Sequence, residues 1–394
     1  MDEVRMVRDC YPEPAPPTAQ EIARAKALLD DPPRRSLPGM RWRLGGLLAV
    51  GAAATAAITL VGGTTPTSRP VRLDDRSAIL AAAEKAERQP TGKYWYSNQI
   101  LGQSYIMRPK TGTYAITGAH SETFNWWGAT SGTGERFYSR ELPARPLTAQ
   151  DEALWRKAGS PSSFRVWSSD HYSTYTTKAT KWQVDDQDAG GGGSFLGPKE
   201  SMGGKSVEDL RNLPTDPAKL AELFLSQEAM GRRAAGIPPG RQVTPKQSAL
   251  LRTQRIEPHA KVMRVGGLLK NAPLPPKVRA GLMRALADQP GIHAIGRTTD
   301  PLGRRGVALA SDDRAVTITG EYGGPKAERG TYRVRAVLIF DEETGALLST
   351  QEELTRPGGG YAEMKPGFVI FYATLRSANW TDTVPKPPAK LPFD

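Results

Sequence analysis

Residues 44–63 read LGGLLAVGAAATAAITLVGG, twenty positions with no charge and no proline. At ~1.5 Å rise per residue a helix over them would be about 30 Å long, the thickness of a bilayer's hydrocarbon core. Uncharged helices of that length are uncommon inside soluble domains, so the stretch predicts a membrane span. Its flanks set the direction. Arg34, Arg35, Arg41 and Arg43 precede it, whereas Arg69, Arg72 and Arg76 on the far side are mixed with Asp74 and Asp75. The positive-inside rule then places residues 1–43 in the cytoplasm and the C-terminal bulk outside a plasma membrane crossed once. Arg41, Trp42 and Arg43 are the expected interface anchors, Trp42 with its ring in the apolar layer and its N–H wet. A cleaved signal peptide is the competing reading. It requires a short basic segment before an apolar core, and here about 43 residues come first, which favours a signal anchor. Gly45, Ala49, Ala53 and Ala57 repeat at a spacing of four along one face of the span. Such a small-residue stripe lets two helices approach closely, which allows a homodimer through the membrane; an alanine-rich helix also places alanines on every face without any such contact.

Charge and cysteine usage narrow the partners. The chain holds 53 Lys and Arg against 41 Asp and Glu, a net charge of +12, and residues 1–43 contribute only +1 of it. A basic balance often signals nucleic acid. This charge falls on the outer side of the predicted span, so no nucleic acid partner is expected; membrane lipid and anionic cell-envelope ligands are the matching counterparts. The single cysteine, Cys10, falls on the predicted inner side, leaving the outer part without a disulfide or a cysteine-based metal site. His120, His171, His259 and His293 are too scattered to form a ligand cluster by spacing, and no cofactor or metal is expected.

In the inner arm, 1–43, Pro12, Pro14, Pro16 and Pro17 keep the chain extended. Thr18, three residues before Glu21, has the spacing of a capping box, and Ile22, Ala25 and Leu29 recur on one face before Pro32 and Pro33 end the helix. One short helix cannot bury a core alone, so it either docks on a cytoplasmic regulatory protein or stays a solvated tail. Residues 64–73 read as a linker. Within 74–189 a helix runs through Ala78, Ile79, Ala82, Ala83 and Ala86. Short aromatic and β-branched runs follow at 94–101, 104–107, 112–117, 121–127 and 135–140, divided by glycine or proline, which reads as an antiparallel meander with a helix after it at 148–157. Asp185, Asp186 and Asp188 precede four glycines but lack the Gly and Glu positions of a calcium loop, and 190–205 reads as a Gly-rich loop.

The second half, 206–384, opens with Asp216 at an N-cap and Pro217 at the first helical position, followed by the apolar face Leu220, Leu223, Phe224 and Met230. Further helices are expected near 244–255, at 258–271 and from Pro276, with Val278, Leu282 and Leu286 on one stripe. Strands are expected at 306–310, 315–319, 332–340 and 346–353, the last two joined by the hairpin loop DEETG at 341–345. Residues 368–375 are apolar on both faces and predict a central strand with Phe371 fully buried. Residues 385–394, with Pro385, Pro387 and Pro388, read as a disordered tail. The fold class is therefore α+β: a short cytoplasmic arm, one transmembrane helix, and an extracytoplasmic part of antiparallel sheets and helices.

Tyr94, Trp95, Tyr96, Trp126 and Trp127 are dense in the meander. Such residues either fill a small sheet's core or, on an open face, stack on sugars or line a lipid groove, which makes them the candidate ligand aromatics. No catalytic motif accompanies them. There is no Gly-x-Ser-x-Gly elbow, no Walker A loop and no His-Glu-x-x-His, and Glu342 and Glu343 fall on a hairpin tip rather than in a cleft, so catalysis is not expected.

The stretches LPTDPAKL (213–220), ALADQPGIHAIGRTTDPLGRRGVAL (285–309) and AVLIFDEETGALLSTQEEL (336–354) resemble the C-terminal region of uncharacterised actinobacterial single-pass membrane proteins. Those proteins also begin with a short arm, a basic flank and an Ala-rich span, and their genes often lie beside extracytoplasmic-function sigma factors. The resemblance implies membership of that family and a link to sigma-factor regulation, and it carries no catalytic residues. More remotely, the order of helix and meander resembles the half-barrel of lipoprotein carriers and of periplasmic anti-sigma regulators. The expected function is thus a membrane-anchored extracytoplasmic sensing or binding protein. The alternative is a membrane-tethered carrier of an apolar or lipid ligand.

Overall fold

The computed structural model of the protein describes residues 53–54, 73–184 and 207–393, apart from 131, 169, 236, 238–241, 254, 255 and 322. The inner arm with its anchors Arg41, Trp42 and Arg43, residues 64–72 of the linker and the Gly-rich loop at 190–205 lie outside them. So does the stretch 44–63, with Gly45, Ala49 and Ala57, except for Ala53–Ala54 (β1). Those two residues pair antiparallel with Ile370 and Phe371 of a late strand. Among the described residues no helix is long and apolar enough to cross a membrane.

The described part is α+β, with a large antiparallel sheet and several helices. After helix α1 (Leu73–Glu87), the aromatic runs build two long strands, β2 (Tyr94–Met107) and β3 (Tyr114–Gly128), in register from Tyr94↔Gly128 to Met107↔Tyr114. The sequence reading breaks each of them in two. The structure keeps each whole and bulges it instead, with a register shift between Leu101 and Gln103 opposite residues 118–121. Gly102 makes the bulge possible, because a Cβ there would lie 2.6 Å from the Tyr372 ring. β4 (Glu135–Glu141) pairs with β3, and β5 (Arg145–Pro146) adds a short piece. Helix α2 (Ala149–Lys157) starts where expected: Thr148 and Asp151 form a reciprocal capping box. β6 (Ser163–Ser168) and β7 (His171–Thr176) make a separate hairpin, and β8 (Gln183–Val184) lies along β4.

The helices of the second half begin on local chemistry that the sequence displays. These are α3 (Val207–Arg211), α4 (Pro217–Leu225), α5 (Gln227–Ala234), α6 (Pro245–Thr253), α7 (Pro258–Asn271) and α8 (Pro276–Ala287). Asp216 caps α4 by accepting from the Lys219 amide at 2.9 Å, and Pro217 occupies its first turn. The strands that follow are β9 (Ile292–Thr299), β10 (Arg305–Ser311), β11 (Arg314–Ile318), β12 (Gly330–Phe340), β13 (Leu347–Arg356) and β14 (Val369–Thr381). β9 is absent from the sequence reading. Its string IHAIGRTT alternates weakly, and it runs at the end of the sheet with only β10 as partner on the main path.

β14 joins the two halves. It pairs with β13 from Ser349↔Thr374 to Glu353↔Val369, and with β2 from Leu375↔Gln99 to Thr381↔Tyr94. The sheet therefore runs continuously in the order β8-β4-β3-β2-β14-β13-β12-β10-β9. The expected central strand is there, but Phe371 is only half-buried while Ile370 and Tyr372 take the buried positions. Successive strand residues leave opposite faces, and Phe371 sits opposite Glu352 in the register.

An apolar core joins α1, α4, α7 and α8 to Ala336, Leu338 and Phe340 of β12. Val265, Leu268, Leu282 and Leu286 reach zero exposure in it. The loop 341–346 locks onto α1. Gly345 holds φ at +69°, and a Cβ on it would lie 2.0 Å from the Ala82 carbonyl oxygen, so only glycine fits.

Candidate functional site

Alternation along β2 divides the five aromatics named from the sequence between two faces. Trp95 and Trp127, each 3% exposed, join Phe137 and Trp380 in a closed cluster, with the Arg279 guanidinium 4.6 Å from a Trp95 ring centre. These two belong to the core. Tyr94, Tyr96 and Trp126 share the opposite face. Tyr94 meets Trp126 edge-on at 5.5 Å, Tyr96 stacks on Phe124 at 5.6 Å, and Phe124 meets Tyr138 at 6.1 Å.

Beside this platform lies a buried charged network. Glu122 of β3 has no exposed surface. Its Oε2 accepts from Arg140 Nε at 2.8 Å and Nη2 at 2.5 Å. Its Oε1 accepts from Asn98 Nδ2 at 3.0 Å and from Arg376 Nη1 at 3.2 Å. Register brings these groups together: Glu122 faces Arg140 across β3 and β4, and Arg376 falls at the bulge of β14 between Leu375 and Ser377. One carboxylate faces two guanidiniums, so the network keeps a positive charge.

Main-chain oxygens from the end of the chain answer that charge. Arg140 donates to the carbonyls of Ala389 at 3.3 Å and Lys390 at 2.7 Å, and Arg376 donates to Lys390 at 2.9 Å. Trp182 donates its indole N–H to the Pro388 carbonyl at 2.8 Å and carries the Arg140 guanidinium 4.4 Å above its ring. Phe393 packs against His120 at 5.3 Å and under Arg145 at 4.2 Å. Residues 385–394 are expected as a disordered tail, and their described part, 385–393, is thus a strap over the sheet. Its prolines have no N–H to leave unpaired, and its carbonyls are the acceptors that the arginines lack.

Between strap and platform is a cavity of about 300 Å³, with Tyr96 and Phe124 as its floor, Pro385 and Pro388 on the strap side, and Arg376 and Lys386 at its rim. Asn98 also lines it and is 1% exposed. Its Nδ2 donates to two acceptors, Glu122 Oε1 and the Thr123 carbonyl, which fixes the orientation of the amide. Its Oδ1 then has no partner. A buried carbonyl oxygen left without a donor costs about 1–3 kcal/mol.

His120 supports this face from beneath the strap. Its Nδ1 donates to the Pro143 carbonyl at 2.7 Å, and Tyr372 donates its hydroxyl to Nε2 at 3.2 Å. Burial pushes the imidazole down to about 4, the Pro143 carbonyl opposes that, and nearby Arg145 adds to it. The ring is neutral and structural.

Other polar clusters lie away from this cavity, and in one of them Glu352 Oε2 and Arg314 Nε are buried without a partner. A second cavity of about 200 Å³ at the far end of β2 holds Arg108, which is committed to Glu328, Glu363 and the Gly360 carbonyl. His259 bonds the buried Glu352 under the start of α7, with Arg314 3.7 Å from the same carboxylate. Asp170, His171 and Ser173 are linked in the order of a hydrolase triad, at 2.6 Å and 3.1 Å. The Asp170 and His171 side chains are 68% and 65% exposed on a hairpin, where water screens the charges a triad needs to concentrate. Among the described residues no group of three or more His, Cys, Asp or Glu side chains could hold a metal ion.

The chain matches no known protein family, no curated protein and no solved structure.

Of the cavity's lining the sequence reading names Tyr96 as a candidate ligand aromatic, and Pro385 and Pro388 only as part of a tail. Asn98, Glu122, Arg140 and Arg376 are missed. Their signal is a polar residue on the same face as the aromatics, and it becomes visible only once the register of β2, β3, β4 and β14 is known.

Proposed function

We propose that the protein is a membrane-anchored extracytoplasmic sensing and binding protein, without catalysis of its own, whose ligand lodges beneath the C-terminal strap. One observation carries the binding reading: the cavity combines an aromatic floor and a cationic rim with an unmatched buried acceptor, Asn98 Oδ1. A ligand that donates to that oxygen removes a cost already present in the free protein. The anchor is argued from the uncharged stretch 44–63 and its basic inner flank. In this reading the inner arm passes occupancy to a cytoplasmic regulatory protein, and the family resemblance favours sigma-factor control. Association through Gly45, Ala49, Ala53 and Ala57 would raise the local concentration of weakly binding arms. The tethered carrier of a lipid has less support, because the helix side of the sheet is filled by Leu268, Leu286 and Phe340.

One observation favours a second arrangement. Ala53–Ala54 pairs with β14, which places those two residues on the sheet rather than in a bilayer helix, and a chain held that way would be unanchored. Fractionation and labelling separate the two readings. The anchored protein stays in carbonate-washed membranes, and in intact cells an impermeant thiol reagent labels a Val384→Cys variant but not Cys10. Release into the supernatant, or a labelled Cys10, sinks the anchored reading.

A further inference from the structure

We infer that the strap cavity is a subsite for an acidic sugar, a pyranose ring bearing a carboxylate; this rests on the binding reading above. Three features of the cavity ask for three different things. Tyr96, stacked on Phe124, offers a flat apolar floor, and Pro385 and Pro388 offer an apolar wall from the strap. That slot fits a ring with C–H faces. Asn98 Oδ1 is buried and unpaired, and it requires a donor such as a hydroxyl. Arg376 shares Glu122 with Arg140, and Lys386 stands exposed at the rim, so positive charge exceeds negative and calls for an anion.

Simpler ligands meet only part of this demand. A carboxylate or phosphate alone answers the cations and leaves Asn98 and the floor unused. A neutral sugar answers Asn98 and the floor and leaves the cations without a partner. An acyl chain answers the floor alone. A volume of about 300 Å³ is at the small end of ligand pockets, which suits one ring with its substituents. Ser377 and Thr381 also line the cavity and can bond further hydroxyls.

The test uses the purified full chain in detergent micelles, titrated by calorimetry with methyl glucuronide, methyl glucoside, acetate and inorganic phosphate. The glucuronide is expected to bind at least about tenfold more tightly than the glucoside and than either anion. Lys386 is exposed, so Lys386→Gln leaves the fold intact and should bring the glucuronide down toward the glucoside. Tyr96→Ala should weaken both sugars by about tenfold. Equal affinity for the two sugars overturns the acidic assignment. Acetate or phosphate binding as tightly as the glucuronide shows an anion site and overturns the sugar. No binding of any probe at millimolar concentration, in a chain that passes the fractionation test, overturns the sugar assignment and leaves the anchored reading standing.

Discussion

The sheet is covered in two contrasting ways. Around β12, helices α7 and α8 bring Val265, Leu268, Leu282 and Leu286 onto Leu338 and Phe340, all without exposed surface. Around β2, β3 and β4, a proline-rich strap meets Arg140 through its carbonyls and His120 through the Phe393 ring, and the Trp182 indole bonds to it from the sheet side. The first cover stabilises by area, at about 1.5–3 kcal/mol for each large apolar side chain buried. The second spends stability on buried ions and unpaired polar atoms, and a buried ion pair is weak evidence of net stabilisation. The two share β14, so an apolar core in one half can underwrite a polar, open-pocketed arrangement in the other.

The sharpest way to break that comparison is to damage the apolar side and read the polar one. Leu268→Ala should cost about 3–5 kcal/mol, because it leaves a cavity under α7. Urea melts followed by helix circular dichroism and by fluorescence, whose described indoles all lie in the other half or on β14, should shift together. An indole midpoint that stays put while the helices melt early would mean two folding units rather than one.

A smaller effect should come from acid. The unfolded chain binds a proton at His120 near the ordinary 6.5, the folded one only near about 4. The unfolded state therefore holds more protons in that window, and stability, full above pH 6.5, falls as pH drops through it. The loss approaches about 3 kcal/mol. Melts at pH 7 and pH 4.5 check this, and His120→Gln should flatten the dependence; an unchanged slope would show that other groups carry it.

The smallest effect tests where β14 packs. Phe371→Ala should cost about 1–2 kcal/mol, less than Ile370→Ala at about 2–5, since only Ile370 is fully enclosed. The reverse order would place the strand one residue out of register.

What the sequence displays about this molecule is what its neighbours in the chain decide. The helix start at 148, the Asp216–Pro217 start and the glycine of the 341–345 loop are local arrangements, and all three are where the residues put them. The continuity of β2 and β3 is not local: it depends on Gly102 meeting Tyr372. The site is less local still. Glu122 and Arg376 are 254 positions apart, and Arg140 and Lys390 are 250 apart. Proline density suggests disorder when the acceptors' distant donors are unseen, which is why the strap reads as a tail.

β14 follows every other strand in the chain, yet it lies in the middle of the sheet. A polypeptide made from its N-terminus therefore completes β2 and β13 before it has the strand that separates them. Until then each presents an open row of amides and carbonyls, the kind of edge that templates aggregation. Closing the seam demands contacts across more than 250 residues, a slow class of folding event. The newborn chain is thus most vulnerable at the centre of its finished structure, and the interval before β14 arrives sets how long it needs protection from its neighbours.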